Sequence, residues 1–440
     1  MQKFTVVFSV LLVFCFGLNH AQQYVRCASQ EYILHRELQQ PGYAKRINQT
    51  LEQISSASVR KDGNETVYRI PVVIHILYNN EDANLHDSII QNQINILNQD
   101  FRRQNPDTTE TREVFKPVAA DSRIEFYLAG IDPEGNPTNG ITRTQTSTSF
   151  ALSVVTNNIK QTSAGGKDAW PTNRYLNIWV GDLSIFGTPL ILGYATPPDG
   201  APNWPAGSAA SQPQFDGVVI HNQVFGSDNP LLPPSLSAVS KGRTTTHEVG
   251  HYLGLRHIWG DGGGVGGGNG CDADDGIDDT PNAAAASQQT CNYANNTCVD
   301  TPIDLPDMIE NYMDYSDESC MNMFSRGQIN AMRFCIENFR QELVDTTNAP
   351  IGLNEISHVG TFNLFPNPAS DKLSITSADV DGEADLFIYD IKGNLCTRSI
   401  IELRRFQSTL IDVSFLQSGV YYIILNNKHM RRALKFVKSD

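Results

Sequence analysis

Residues 247–257 read HEVGHYLGLRH. Side chains four apart on a helix lie one turn apart on the same face, so His247 and His251 project together. Neutral imidazoles at that spacing bind one zinc ion. Glu248 stands beside the first of them, facing the water that such a metal carries. Gly254 ends the helix: lacking a Cβ, it takes positive φ, and the chain swings His257 back as a third ligand. Three protein ligands leave a fourth position for water, which marks a catalytic zinc and not a closed structural one. A bare H-E-x-x-H arises by chance, and a lone buried histidine is usually a satisfied core residue. Here five specified positions coincide, with the glycine where a turn is needed. Val249, Tyr252, Leu253 and Leu255 give the stretch the apolar periodicity of a buried active-site helix.

Some fifty-five residues further on, 311–316 read NYMDYS. Met313 is the candidate Met-turn, an apolar and polarizable floor beneath the ligand histidines. The surrounding run RTTTHEVGHYLGLRHIWGD, the glycine- and aspartate-rich loop ending DDTP, and ENYMDYSDESCMNMFSRGQ resemble the pappalysin family of metzincins, in its bacterial, ulilysin-like branch. The resemblance covers residues 60–345 and is most specific over 243–334. It implies a zinc endopeptidase of α+β class, with a twisted mixed sheet and active-site helix above a loop-rich lower subdomain. It implies that Glu248 is the general base, that Tyr315 reaches the zinc or the oxyanion, and that Arg or Lys is preferred near the cleaved bond. Asp317 and Glu318 are acidic candidates for such a pocket, or plain surface charge.

The elements agree with that class. Residues 68–78 (YRIPVVIHILY), 124–128, 176–180 and 216–221 read as strands, and 88–102 carries apolar residues at helical spacing. One edge strand in this family holds the substrate backbone by strand addition; the sequence does not single it out.

Of the eight cysteines, Cys271, Cys291, Cys298 and Cys320 cluster around the active-site loops. Four cysteines allow three pairings, and the spacings lack the C-x-x-C pairs of a zinc cluster. The family resemblance favours Cys271–Cys298 and Cys291–Cys320. Cys27, in YVRCASQEYILHREL, matches the family's propeptide cysteine that blocks the zinc; an ordinary thiol in a helical prosegment is the rival reading. A release point is expected at Arg60–Lys61. Loop 261–281 offers clustered carboxylates on a pliable backbone, and the resemblance implies calcium there, with Asp275, Asp278, Asp279 and Thr280 the candidate ligands. Cys335 and Cys396 read as buried or unpaired.

Residues 1–21, with Lys3, an apolar run and Ala21, read as a signal peptide, too short for a membrane span. No later segment reaches eighteen apolar residues. A formal charge of −15 over 440 residues excludes nucleic acid as a natural partner and fits an acidic exoprotein. The chain divides into signal peptide 1–21, propeptide 22–60, endopeptidase domain 61–346, linker 347–360 and a small all-β, Ig-like sandwich at 361–440, where 372–375, 384–389, 409–413, 420–425 and 433–437 read as short alternating strands. FNLFPNPASDKLSI, DLFIYDIKGNL, LQSGVYYIIL and ALKFVK within that tail resemble the C-terminal sorting domain of type IX secretion substrates. This implies a Bacteroidetes-type cell, the type IX machinery as partner, and a secreted or cell-surface destination. Peptide and protein substrates complete the expected partners. Two rivals stand beside this reading: a catalytically dead surface binding protein with structural zinc, and a metzincin of another family such as an astacin-like one.

Overall fold

The computed structural model describes residues 24–56, 66–185, 187–198, 213–227, 229–260, 270–287, 289–344, 362–377, 381–390, 395–405, 407–426 and 431–439. The expected signal peptide, the Arg60–Lys61 release point and the linker lie outside the described residues. The chain forms two compact units, Met1–Ala349 and Pro350–Asp440.

The first unit is built on a six-stranded sheet. Its central strand β1 (Tyr68–Tyr78) is apolar and β-branched along both faces and is buried over most of its length. Such a strand needs cover on both sides. β2 (Ile124–Leu128) and β3 (Ile141–Gln145) pair along its two halves, and β4 (Leu176–Gly181) flanks its other edge, all parallel to it. β5 (Ser184–Ile185) and β6 (Thr188–Pro189) make a small hairpin of their own. β7 (Gly193–Ala195) closes the sheet as an antiparallel edge strand against β8 (Val218–His221). β3, whose sequence ITRTQ is polar, and β7, only three residues long, carry no alternating apolar signal.

Strand alternation divides the core into two. Ile70, Val72, Ile74 and Ile76 share one cluster with Ile90, Ile94, Leu97 and Phe101 and with Val249, Tyr252 and Leu253. Leu77, Trp179, Tyr194 and Val219 belong to a separate cluster on the opposite face. An N-terminal pair of helices, α1 (Ser29–Gln39) and α2 (Tyr43–Ser56), packs through Ile33, Tyr43, Ile47 and Leu51. α3 spans Asp87–Phe101, α4 is the single turn Ser153–Thr156, α5 is Arg243–Tyr252 and α6 is Arg326–Phe339. Between α5 and α6 the described chain has no strand or α-helix, only turns and one short 3-10 turn at Gly270–Asp272, and two disulfides, Cys271–Cys298 and Cys291–Cys320, staple it. Cys27, Cys335 and Cys396 belong to neither bridge. This is the arrangement that the family resemblance implies, a sheet and active-site helix above a loop-rich lower half.

The second unit is a two-sheet sandwich. One sheet orders β13 (Ser408–Asp412), β10 (Lys372–Ser377) and β9 (Phe362–Phe365). The other orders β12 (Leu395–Leu403), β11 (Gly382–Asp390), β14 (Gly419–Asn426) and β15 (Arg431–Lys438). Leu373 and Ile375 from the first sheet meet Leu386, Ile388, Ile423, Leu425 and Phe436 from the second. β9 and β12 are strands beyond those read from the sequence; β12 is an edge strand whose residues are mostly exposed.

Candidate active site

Every residue of α5 is buried. The helix ends as its sequence dictates: Gly254 adopts φ +92°, and Leu255 N–H bonds back to Gly250 O at 3.0 Å. That turn brings His257 beside its two predecessors. The Nε2 atoms of His247, His251 and His257 form a triangle with sides of 3.1, 3.1 and 3.2 Å. His247 Nδ1–H donates to Tyr312 O at 2.7 Å and His251 Nδ1–H to Leu255 O at 2.8 Å. With those protons fixed on Nδ1, the Nε2 lone pairs of both rings converge on one point, which a cation satisfies. Imidazole nitrogens about 2.0–2.1 Å from one tetrahedral zinc stand about 3.3–3.4 Å from each other. The donor set therefore fits zinc in number, chemistry and spacing. Among the described residues this is the only convergent group of three or more His, Cys, Asp or Glu, and Cys27 Sγ is its fourth member. All four atoms lie within 4.8 Å of one another.

Met313 lies directly beneath the helix. A Cβ on Gly250 would stand 2.5 Å from Met313 Sδ, so glycine at 250 is the condition for the Met to reach its place. Trp259 stacks on His257 with 4.3 Å between centroids and an 8° interplanar angle. Tyr315 packs edge-on to both rings, 5.0 Å from His257 and 4.8 Å from Trp259. Beneath the ligands, Asp100 accepts from Thr246 Oγ1 and from Tyr312 O–H, at 2.7 and 2.8 Å. This ties α5 to α3 and to the turn that carries His247's carbonyl partner.

Glu248 is fully buried against the edge strand. A Cβ at Gly193 would come within 2.8 Å of Glu248 Cγ, so the carboxylate lies over a glycine that makes room for it. Oε2 accepts from Ser29 Oγ at 3.1 Å and from Cys27 Sγ at 3.4 Å. Oε1 has no hydrogen-bond partner among the described residues. Burial pushes this carboxyl up to about 8, against the hydrogen bonds from Cys27 and Ser29 and the charge of Arg26. Burial and the neighbouring Glu248 push the Cys27 thiol up, a trend that zinc ligation reverses because the thiolate is the ligand.

The N-terminal segment fills the cleft. Val25 N–H donates to Leu190 O, Leu192 N–H to Val25 O, and Ala28 N–H to Gly193 O, at 2.8 to 2.9 Å. The segment thus runs parallel to residues 190–193, as an added strand beside β7. Ser29 Oγ accepts from Ala195 N–H at 2.9 Å. Arg26, 1% exposed, donates to Ser316 O and to Met321 Sδ, and lies 3.9 Å from Glu318 Oε1. Tyr315 O–H meets Cys27 O at 3.3 Å. Further along, Ile54 of α2 presses on the Gly254 turn, where an added Cβ would be 2.6 Å from its Cδ1.

Tannerella forsythia mature mirolysin, solved in complex with a cleaved peptide, is 42% identical to this chain, which covers 98% of it (65% of this chain, TM-score 0.56). The chain belongs to the pappalysin family. A Tannerella forsythia promirolysin mutant is 40% identical, over 72% of this pappalysin and 96% of that chain, with a TM-score of 0.58. The family model described as pregnancy-associated plasma protein-A matches residues 160–337, and a secretion system C-terminal sorting domain matches 363–439. That tail marks this pappalysin for type IX secretion. An extracellular metalloprotease of Arthroderma benhamiae is 41% identical over 127 residues, 29% of this chain and 38% of the relative. One of Verticillium alfalfae is 36% identical over 195 residues, 43% and 63% respectively. The chain thus spans under two thirds of the length of these fungal relatives.

Within the pappalysin site the structure gathers His247, Glu248, His251, His257, Met313, Tyr315 and Cys27. It does not gather the expected calcium ligands around one point. Both Asp275 oxygens accept from Thr280 Oγ1, and Oδ1 also accepts from Ile277 N–H. Asp279 accepts from Ser325 O–H and Gly327 N–H, fixing the start of α6. Asp278 is exposed. Arg26, Ser29, Gly250 and Trp259 were not legible as site residues; only the R-C pair at 26–27 and the glycine inside the zinc helix hinted at two of them.

Proposed function

We propose that the chain is a secreted zinc-dependent endopeptidase held latent by residues 22–60, with Cys27 as the blocking ligand. The observation that carries this reading is the convergence of three imidazole nitrogens and one thiol beside a buried carboxylate with an orphaned oxygen. His247, His251 and His257 would hold zinc, which when bound supplies Lewis acidity and an acidified water. Glu248 would take a proton from the attacking water on its carboxylate and hand it to the departing amine nitrogen. Gly193 and Ala195 would hold the substrate backbone, in place of the Ala28 N–H and Ser29 Oγ that use them in the latent chain. Tyr315 O–H would steady the developing oxyanion.

The finer preference, for Arg or Lys near the cleaved bond, rests on Arg26. Its guanidinium enters a pocket with buried Glu318 and Ser316 O, and a substrate cation would replace it there. Glu318 and not the half-exposed Asp317 is the acidic group of that pocket. The type IX machinery would read the tail and release or retain the mature enzyme at the surface. The test is hydrolysis of Lys- and Arg-containing peptides by processed protein, with and without a chelator. Chelator-sensitive cleavage beside the basic residue is expected; intact peptides with zinc bound would leave the binding-protein alternative standing.

A further inference from the structure

Alternation along β7 puts Gly193 toward Glu248 and Tyr194 on the sheet's outer face. There Tyr194 meets Trp179, Ile159 and Val219, and Lys160 is buried beside them at 1% exposure. Lys160 Nζ donates to Phe215 O at 2.7 Å and Thr196 Oγ1 at 3.1 Å. It also lies 5.0 Å from the Tyr194 ring and 5.1 Å from the Trp179 ring. Among the described residues no carboxylate is hydrogen-bonded to this lysine, although the charge of Asp216 acts on it, and so deep a placement is costly. The third ring around it belongs to the N-terminal segment: Tyr32 lies 5.6 Å from Nζ and stacks on Tyr194 at 5.9 Å and 21°. Tyr32 also borders a cavity of about 360 Å³ with Thr196, Pro197, Asp216 and Arg340.

The N-terminal segment therefore places two side chains in two sockets on opposite sides of Cys27. Arg26 enters the Glu318 pocket, and Tyr32 covers Lys160. We propose that Tyr194, Trp179 and Lys160 form a second substrate subsite, which takes an aromatic side chain on the far side of the cleaved bond from the Arg/Lys pocket. This rests on the endopeptidase reading above. Tyr32 reaches this socket from the first turn of α1; a chain added along β7 in its place points alternate side chains to the same outer face, where the socket opens once Tyr32 leaves. The rings supply apolar area, and the ammonium supplies a cation–π contact that only an aromatic guest returns.

The test uses processed protein and a peptide series with one fixed Lys or Arg, in which Tyr, Phe, Ala or Glu occupies successive positions across the bond. A kcat/KM for Tyr or Phe about tenfold above Ala at one position is expected. The ratio, which does not depend on the fraction of folded enzyme, should shrink in Lys160→Met and persist in Tyr194→Phe. In the full chain, Tyr32→Ala should loosen latency while Cys27 remains in place. A flat profile at every position, with the basic residue still required, overturns the subsite and leaves the protease reading intact. Failure to cleave any peptide overturns both.

Discussion

Two sets of buried histidines in the first unit differ in what surrounds the ring. His75, inside β1, has Thr142 Oγ1 at 2.7 Å from Nδ1 and Asn177 Oδ1 at 2.9 Å from Nε2. Both ring nitrogens are answered by protein, and the residue is a core histidine. His247 and His251 have one nitrogen answered by a carbonyl and the other aimed at rings of the same kind. Burial alone therefore says nothing about metal; acceptors that converge on one another do. In the 270–280 loop, Asp275 and Asp279 accept from Thr280, Ser325 and backbone N–H groups.

The contrast breaks first at the convergent group. His251→Ala is expected to lose bound zinc and with it all peptide hydrolysis, read by metal analysis and a peptide assay; retained stoichiometric zinc would move the site elsewhere. Glu248→Gln should keep zinc and lower kcat by about 10²–10⁴-fold, the usual span of a general base. Full turnover in that variant would remove Glu248 from its role. Glu318→Gln should cut kcat/KM on Lys and Arg peptides by roughly 30-fold and leave the metal content alone, because it strips the charge opposite the guest cation. An unchanged preference would return Glu318 to the role of a buried partner of Lys241 N–H and Thr244.

The last expected effect is on stability and not on turnover, and lies at His75. Burial pulls its pKa from 6.5 to about 4, so the folded chain binds fewer protons than the unfolded chain between those values. Stability present above pH 6.5 is then lost as pH falls toward 4, by about 3 kcal/mol in all. His75→Gln should flatten the melting temperature across that window, whatever it does to the absolute value. An unchanged slope would mean that other groups carry the acid response.

The zinc ligands were legible because a helix of fixed pitch and one glycine determine where three side chains meet. β1, β2, β4, β8 and α3 were legible from apolar periodicity, and five sandwich strands from alternation. What escaped was set by partners distant in sequence. β7 has three residues and no pattern of its own, yet it is the strand that receives the N-terminal segment. β3 and β12 are edge strands with polar or exposed residues. The contact of Asp279 with the start of α6 escaped for the same reason, since its partner Ser325 lies 46 positions later. Arg26 was quoted within its motif, but its socket is made by residues about 290 positions later.

The grip of the N-terminal hairpin at both ends of the cleft has a consequence for how the site is unveiled. Residues 24–29 lie along β7, while Ile54 rests on the Gly254 turn. Scission beyond residue 56 cuts the tether but leaves every one of these contacts in place. What changes is mass action: an inhibitor once present at a fixed local concentration becomes a ligand that must be diluted away. Freshly nicked protein at high concentration should stay quiet, then awaken as it disperses outside the cell.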